Sequence, residues 1–355
     1  MTDNAFYKDK KVFITGHTGF KGSWLCKLLL ELGAKVCGYA LAPKEDKLLF
    51  SLSKVEDDIE SVIGDIRERK CLEKSIMQFQ PDIVIHMAAQ PIVRESYKNP
   101  VDTYDINVMG TVNVMEAVRL CGNVRSVVNV TTDKVYRNIE CHRGYIEGDI
   151  LDGYDPYSNS KSCSELVTGS YVRSFFENTD IAVSTCRAGN VLGGGDFSKD
   201  RIIPDCYRAV CKKGKIIVRN PESVRPYQHV LDPLCAYLML AHKQYEDVSY
   251  MGAYNIGPDH ADNVKTGEIV EMFCHEWGDG AEWMVQREEN APHEANYLYL
   301  DCSKAKKVLG WKPVWGISQT IEKTVAWYKV FMADGDIPLC MEEQIHEFMN
   351  KGGQI

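Results

Sequence analysis

A tyrosine and a lysine four residues apart are the first feature of this chain that could do chemistry. Tyr157 and Lys161 lie in the segment YSNSK, and residues with this spacing are neighbours on one face of a helix. The pKa of a free tyrosine is about 10, but a nearby ammonium group stabilises the phenolate. The pair therefore predicts a base that takes the proton of an alcohol. The alternative is a surface pair, because this spacing is common on helices.

A second reactive segment is the tripeptide Thr132-Asp133-Lys134, which directly follows an apolar run at residues 126–130. It places a hydroxyl, a carboxylic acid and an amine side by side. Charged residues at the end of such a strand are site candidates. Thr132 can hydrogen-bond a reacting hydroxyl, while an acid and a base together can eliminate water. A solvated turn is the alternative interpretation.

A glycine-rich turn near the N-terminus predicts a dinucleotide site. It follows a short apolar strand at residues 11–15 and opens an amphipathic run at residues 23–32, which ends at Gly33. Such glycines let the backbone approach a pyrophosphate at a helix N-terminus. A plain strand-to-helix turn is the alternative. The residues expected to contact the cofactor here are Gly16, Thr18, Gly19, Phe20, Lys21 and Gly22.

The choice between NAD and NADP stays open on physical grounds. The second strand ends in Tyr39-Ala40-Leu41-Ala42, without the carboxylate that would bind a ribose 2′-hydroxyl. Asp65 could accept a hydrogen bond from the adenine amine, or it could be a helix cap or a loop residue.

Asn107 is a further candidate residue. It could kink its helix or hold a water that connects Lys161 to solvent, or it could be a surface amide.

Strand-like and helix-like runs alternate from residue 11 to about residue 190, which predicts a parallel sheet covered by helices on both faces. We expect an α/β fold with a dinucleotide-binding domain at residues 1–188 plus about 228–260. Residues of about 189–227 and 261–355 are expected to form a smaller, mixed α/β substrate-binding lobe. The segment 190–195 is predicted to be a loop, and residues 345–355 are expected to fray.

Composition excludes several classes of protein. The 355 residues are 45% hydrophobic and 26% charged, which is ordinary for a globular protein, and no apolar run is long enough to span a bilayer. The net charge of −9 argues against binding to nucleic acid. Thirteen scattered cysteines and no apparent signal peptide predict reduced thiols in the cytoplasm, and no metal site is expected.

Several separated motifs together resemble the extended short-chain dehydrogenase/reductase family, over about residues 8–330. They are GHTGFKGSWL, HMAAQP, NVMGT, TTDK, YDPYSNSK, RAGNVLGGGD, RPYQHVLDPL and LGWKPVW. The resemblance implies a Rossmann-type doubly wound sheet that binds NAD. It extends the expected cofactor contacts to Asp65, Ile66, Ala88, Ala89, Asn107, Tyr157 and Lys161.

The resemblance also implies the reaction, which is dehydration of a nucleotide diphosphohexose. Oxidation at C4 would be followed by loss of water across C5 and C6 and by return of hydride to C6. The family's acid and base fall on Asp133 and Lys134. Relatives that act on other nucleotide sugars usually carry a glutamate in place of Lys134, which favours CDP-D-glucose. Val135 stands where close relatives are expected to have a cysteine.

By the same resemblance, Asn190, Arg225 and the weaker candidate Arg201 contact the diphosphate. A surface salt bridge is the alternative for each arginine.

Helices near residues 101–121 and 157–177 are expected to pair in a homodimer, or in a dimer of dimers. Two rival functions remain. A 4-epimerase or reductase of the same fold would not need Asp133 and Lys134, and a silent dinucleotide sensor would be expected to lose Tyr157 or Lys161.

Overall fold

The computed structural model describes residues 5–43, 48–140, 143–286, 297–353 and 355. Its centre is a seven-stranded sheet in the order β11-β6-β5-β4-β1-β2-β3, in which every neighbouring pair is parallel. The strands are β1 Lys11–Thr15, β2 Lys35–Ala40, β3 Glu60–Ile63, β4 Ile83–His86, β5 Ser126–Thr132, β6 Ala182–Ala188, β7 Val191–Leu192, β8 Ile216–Val218, β9 Val224–Arg225, β10 Gln228–His229, β11 Ala253–Ile256, β12 Val264–Lys265 and β13 Trp283–Val285.

Helices connect these strands and cover both faces of the sheet, as the alternating pattern predicts. They are α1 Phe20–Glu31, α2 Leu49–Leu52, α3 Arg69–Phe79, α4 Val93–Lys98, α5 Pro100–Tyr104, α6 Gly110–Leu120, α7 Pro156–Tyr171, α8 Ile202–Cys211, α9 Leu231–Glu246, α10 Thr266–Trp277, α11 Ile317–Met332 and α12 Ile337–Asn350. Within the described ranges, none of the helices has both the length and the apolar character needed to cross a bilayer.

The two faces of the sheet bury separate apolar clusters, because successive side chains of a strand point to opposite sides. On one face Val12 and Ile14 of β1 pack in a large cluster that includes Trp24 of α1 and Leu234 of α9. On the other face Phe13 packs in a smaller cluster with residues of α3 and α6. The doubly wound architecture expected from the sequence is therefore confirmed.

The order of the strands places a crevice beside the glycine turn. The chain runs outward from β1 to β2 and β3, then returns to the other side of β1 with β4, β5 and β6. In such sheets, ligands bind where the order reverses, outside the carboxyl ends of the strands. The segments after β1, β4 and β5 all meet at this edge.

The region after β6 contains small paired strands outside the main sheet. β7 pairs with β10, β9 with β12, and β8 with β13, whereas β11 joins β6 at the end of the main sheet. The predicted loop at residues 190–195 therefore contains a short strand, because the backbone of residues 191–192 pairs with β10. The division into a dinucleotide-binding domain and a smaller lobe stays a prediction.

Candidate active site

A cleft of about 1240 Å³ lies at the carboxyl edge of the sheet. It collects most of the residues that the sequence predicts to be functional. Those that line it are Gly16, Thr18, Gly19, Phe20, Lys21, Gly22, Asp65, Ile66, Ala88, Ala89, Thr132, Lys134, Tyr157, Lys161, Asn190, Arg201 and Arg225. Two others, Asp133 and Asn107, are buried but are not part of this lining.

The glycine turn forms a close-fitting backbone loop between β1 and α1. Gly16 has a φ of +85°, and its N–H donates to the carbonyl of Tyr39 at 2.9 Å. A Cβ atom on Gly22 would lie 2.2 Å from the Gly16 carbonyl oxygen, so a side chain there does not fit. α1 begins at Phe20 without a side-chain cap, which leaves its first N–H groups available for an anion. This part of the cleft fits the pyrophosphate of a dinucleotide.

The environment of Asp65 differs from that of a simple adenine acceptor. Its carboxylate accepts the Arg67 backbone N–H at 2.9 Å and the Arg67 guanidinium at 2.7 and 3.0 Å. These hydrogen bonds hold the pKa of Asp65 below its ordinary value. Asp65 lines the cleft, but its side chain caps the turn that it starts. The bonds to Arg67 give Asp65 a role in its own loop, and its contact with the cofactor stays a prediction.

Asn107 lies inside a helix that changes its winding. Residues 100–120 run as α5, a π-helical turn at Asp105–Met109, and α6. The side chain of Asn107 is buried; its amide nitrogen donates to the Gln90 carbonyl at 3.1 Å and to the Ser160 hydroxyl at 2.9 Å. It thus ties the segment after β4 to α7. It is not the surface amide that the sequence allowed.

Tyr157 and Lys161 occupy the first turns of α7. Asp155 caps this helix by accepting the Ser158 N–H at 3.0 Å, and Pro156 is its first residue. The Lys161 ammonium donates to the Val130 carbonyl of β5 at 3.1 Å, which fixes the lysine in the wall of the cleft. Burial lowers the pKa of Lys161 to about 8, an effect that the Glu165 carboxylate opposes.

Burial has the opposite effect on the phenol. It raises the pKa of Tyr157 to about 12, while a hydrogen bond with Thr132 and the charge of Arg201 act in the other direction. The free protein therefore holds Tyr157 as a neutral phenol, and the phenolate requires a further positive charge in addition to that of Lys161. A positive charge brought into the cleft by a ligand would favour the phenolate.

The segment Thr132-Asp133-Lys134 crosses from β5 into a short 3₁₀ turn at Asp133–Val135. The Thr132 hydroxyl donates to Asp133 Oδ1 at 2.9 Å, and no described residue forms a hydrogen bond with Asp133 Oδ2. Burial raises the pKa of Asp133, an effect that the charge of Lys134 opposes. Lys134 itself is partly exposed on the wall of the cleft. A buried acid thus lies beside an accessible amine.

The three predicted diphosphate ligands line the cleft. Arg225 is 7% exposed, and its guanidinium donates to the Val224 carbonyl at 2.9 Å. Arg201 lies 3.7 Å from the Asp196 carboxylate. Asn190 accepts the Gln228 N–H on its backbone oxygen at 3.0 Å. The structure brings all three to the same cleft as Tyr157.

Sequence reasoning missed other residues at this site. Tyr136 lines the cleft and is almost fully buried, and Glu165 and Arg187 form an ion pair that contacts the cleft lining. Glu165 was detectable, because it lies four residues after Lys161 and therefore on the same helical face. Arg187 follows Cys186 in an apolar strand, where a buried arginine has no periodic signal.

The fold and the site together define a class of protein. A doubly wound parallel sheet, a glycine turn after β1 and a Tyr-Lys pair on α7 are the features of a short-chain dehydrogenase/reductase. A family model described as GDP-mannose 4,6 dehydratase matches residues 13–324, and the chain belongs to this family.

Particular relatives narrow the comparison. The chain is 47% identical to a CDP-glucose 4,6-dehydratase of Salmonella typhimurium, over 99% of each chain. A solved dTDP-glucose 4,6-dehydratase of Streptomyces venezuelae with NAD bound has a TM-score of 0.80, 22% identity, and coverage of 92% of this chain and 99% of its own. A solved UDP-glucose 4-epimerase of Thermotoga maritima has a TM-score of 0.79 and 20% identity, and the match covers 91% of this chain and 99% of the epimerase chain. The fold alone does not separate dehydratase from epimerase.

Proposed function

We propose that this protein is an NAD-dependent hydro-lyase that converts CDP-D-glucose to CDP-4-keto-6-deoxy-D-glucose. The observation that carries the proposal is a second proton-handling pair directly after β5: Lys134 lines the same cleft as Tyr157 and Lys161, and Asp133 is buried next to it. An epimerase needs only the Tyr157–Lys161 pair. The identity of 47% to a CDP-glucose 4,6-dehydratase supports the same reaction and the same nucleotide.

The residues that would hold NAD are the glycine turn, the segment at Asp65 and Ile66, and Ala88 and Ala89 after β4. Held there, NAD would supply the hydride acceptor for the oxidation at C4 and the hydride donor for the reduction at C6. NAD is also named as bound in solved relatives of this fold, which supports it over NADP. The chain itself supplies no acidic residue at the end of β2.

The first proton transfer belongs to Tyr157. Its phenolate oxygen takes the proton of the sugar 4-hydroxyl as C4 is oxidised to a ketone. Thr132 orients that hydroxyl. Lys161 stabilises the phenolate by its charge, and its bond to the Val130 carbonyl keeps the ammonium in place.

The second and third proton transfers belong to Asp133 and Lys134. The new ketone makes the C5 proton acidic, and Lys134 in its neutral form removes that proton. Asp133 in its protonated form donates to the departing 6-hydroxyl, which leaves as water. Burial raises the pKa of Asp133, which favours the protonated form that this step consumes. A proton is returned to C5 when hydride arrives at C6.

The diphosphate of the substrate would lie against Asn190, Arg201 and Arg225. A guanidinium can bind a phosphate through two parallel hydrogen bonds. Contacts far from the reacting carbons hold the sugar in place between the two proton-handling pairs. This assignment depends on the cleft geometry and on the resemblance of the RAGNVLGGGD and RPYQHVLDPL segments to the family.

Incubation of the purified protein with CDP-, UDP-, GDP- and dTDP-glucose tests the proposal. We expect only the CDP sugar to lose one water, as measured by mass, and to give a ketone that absorbs in alkali. A product of unchanged mass with altered stereochemistry at C4 would indicate an epimerase and overturn the proposal. The Tyr157→Phe variant is the control for contaminating activity.

We also propose a cytoplasmic homodimer. The described cysteines are all free thiols, which fits a reducing compartment. Large apolar side chains are exposed along residues 101–120 and on α7 and its extension: Val101, Met109, Leu120, Leu166 and Phe175. A second copy that packs against these helices would bury them. Light scattering at micromolar concentration should give the mass of a dimer, or of a tetramer, and Leu166→Glu should give a monomer; a monomeric parent protein would overturn the assignment.

A further inference from the structure

A buried ion pair contacts two residues of the cleft lining, Thr131 and Tyr136. Arg187 on β6 donates to Glu165 on α7 through Nε at 3.0 Å and Nη2 at 2.8 Å, and both side chains are less than 5% exposed. Glu165 also accepts the hydroxyls of Thr131 and Thr185. Burial of two charges is costly unless every polar atom is paired. These four hydrogen bonds satisfy the Glu165 carboxylate and hold the ion pair in one position.

The other end of the arginine reaches the segment that carries the proposed acid and base. Arg187 Nη1 donates to the Tyr136 hydroxyl at 2.8 Å, and that hydroxyl donates to Asn255 Oδ1 at 2.6 Å. The same nitrogen donates to the Glu147 carbonyl at 2.9 Å. Tyr136 follows Lys134 by two residues. A chain of buried hydrogen bonds therefore runs from α7 through β6 to Tyr136 and on to β11.

A second, shorter connection joins the same two elements. The Ser162 hydroxyl of α7 donates to the Val135 carbonyl at 2.7 Å. The turn at Asp133–Val135 is thus attached to α7 at Val135 and, through Arg187, at Tyr136. Tyr157 and Lys161 belong to α7 itself, whereas Asp133 and Lys134 depend on these attachments for their position.

We infer that Tyr136 is a positioning residue for the elimination step. Through the hydrogen bonds of its hydroxyl, Tyr136 keeps Asp133 and Lys134 correctly positioned relative to the sugar that Tyr157 and Lys161 help to oxidise. Loss of the hydroxyl leaves the oxidising pair in place and loosens only the eliminating pair. A misplacement of 1 Å can cost on the order of 100-fold in rate. The inference depends on the proposed dehydration.

The test is the Tyr136→Phe variant, which keeps the ring and removes only the hydroxyl. We expect turnover of CDP-D-glucose to fall about 10- to 100-fold. Oxidation continues, so the reduced nicotinamide accumulates during turnover and is seen by its near-ultraviolet absorbance. The kinetic isotope effect of a substrate deuterated at C5 should rise, because removal of that hydrogen becomes slower than the other steps.

Tyr254→Phe is the matched control. Tyr254 is buried on β11 beside Asn255, and its hydroxyl donates to the Tyr250 carbonyl at 2.6 Å, outside the network of Arg187. Tyr254→Phe loses one hydroxyl hydrogen bond, whereas Tyr136→Phe loses two, so effects of a general loss of stability would appear in both variants. We expect the control to show neither reduced cofactor nor a larger isotope effect.

Arg187→Lys gives a second line of evidence. It keeps a positive charge near Glu165 but cannot bridge Glu165 and Tyr136 with the same geometry. The same accumulation of reduced cofactor is expected. Unchanged turnover of Tyr136→Phe, or slower turnover without accumulation and without a larger isotope effect, would overturn the inference. A parent protein that releases no water from any nucleotide sugar would instead refute the proposed function.

Discussion

Asp133 and Lys134 are adjacent in the sequence, but their environments are different. Asp133 is 1% exposed and its pKa is raised by burial, whereas Lys134 is half-buried on the cleft wall. Burial shifts Asp133 toward its protonated form, which suits an acid, and the exposure of Lys134 to the cleft suits a base that meets the substrate. At the residue scale, chemistry could be predicted from side-chain types and spacing, because Tyr157 and Lys161 share a helical face. The supporting residues Tyr136 and Arg187 meet only through tertiary structure.

Two substitutions should separate the two halves of the reaction. Asp133→Asn removes the proton for the departing hydroxyl, so we expect dehydration to fall about 10²- to 10⁴-fold while reduced cofactor still forms. Tyr157→Phe removes the base for the first step, so both signals should disappear. Stopped-flow absorbance and product mass measure them on the same sample. Equal loss of both signals in Asp133→Asn would contradict the assigned roles.

At the scale of elements, the sequence predicted the sheet and the start of α7 well, because each depends on local signals. The alternation of strands and helices, Asp155-Pro156 at the start of a helix, and Gly33 after α1 are all confirmed. The expected fraying of residues 345–355 is wrong, since α12 continues to Asn350 and buries Ile345 and Phe348. Its stability comes from packing in the large core cluster, which the sequence of the segment alone does not reveal.

Two glycines of the turn after β1 should respond differently to the same substitution. Gly22→Ala places a methyl group 2.2 Å from the Gly16 carbonyl, so the start of α1 must shift, and we expect a loss of about 1–3 kcal/mol in unfolding free energy. In Gly19→Ala the new methyl group lies 3.4 Å from that oxygen, which is tolerable.

The Gly19→Ala variant should nevertheless bind NAD more weakly, because the methyl group faces the place where a pyrophosphate would approach the backbone. Thermal melting measures the first effect and calorimetric titration with NAD the second. If the Gly19→Ala variant is as stable as the parent protein and binds NAD equally well, the cofactor site is not at this turn.

For the whole molecule, burial of neutral histidines couples folding to pH. Burial lowers the pKa of His17 to about 4 and those of His86 and His229 to about 3. The structure explains why His17 serves the fold: its ring lies against Gly38, where a Cβ atom would come within 2.2 Å, and bonds Ser61 at 2.8 Å. No periodic pattern in the sequence could have revealed this contact, which joins residues 44 positions apart.

These histidines should make the protein less stable in mild acid. In the unfolded chain a histidine takes up a proton as pH falls through about 6.5, whereas the folded chain does so only near pH 3 to 4. Between these two pH values, each buried histidine therefore lowers the free energy of unfolding by about 1.4 kcal/mol for every unit by which the pH falls. Burial of Asp232 opposes this trend, since its pKa is raised to about 8 and the folded state holds a proton that the unfolded state releases.

His86→Gln isolates one histidine from this balance. The His86 ring bonds the Thr15 hydroxyl at 2.7 Å, and glutamine keeps a polar group there without a titrating nitrogen. Urea unfolding from pH 5.5 to 4.5 should give a slope of stability against pH that is shallower than in the parent protein by about one proton, or about 1.4 kcal/mol per pH unit. His275→Gln, which changes an exposed side chain, should leave the slope unchanged. An identical slope in all three proteins would show that His86 is not held neutral by burial.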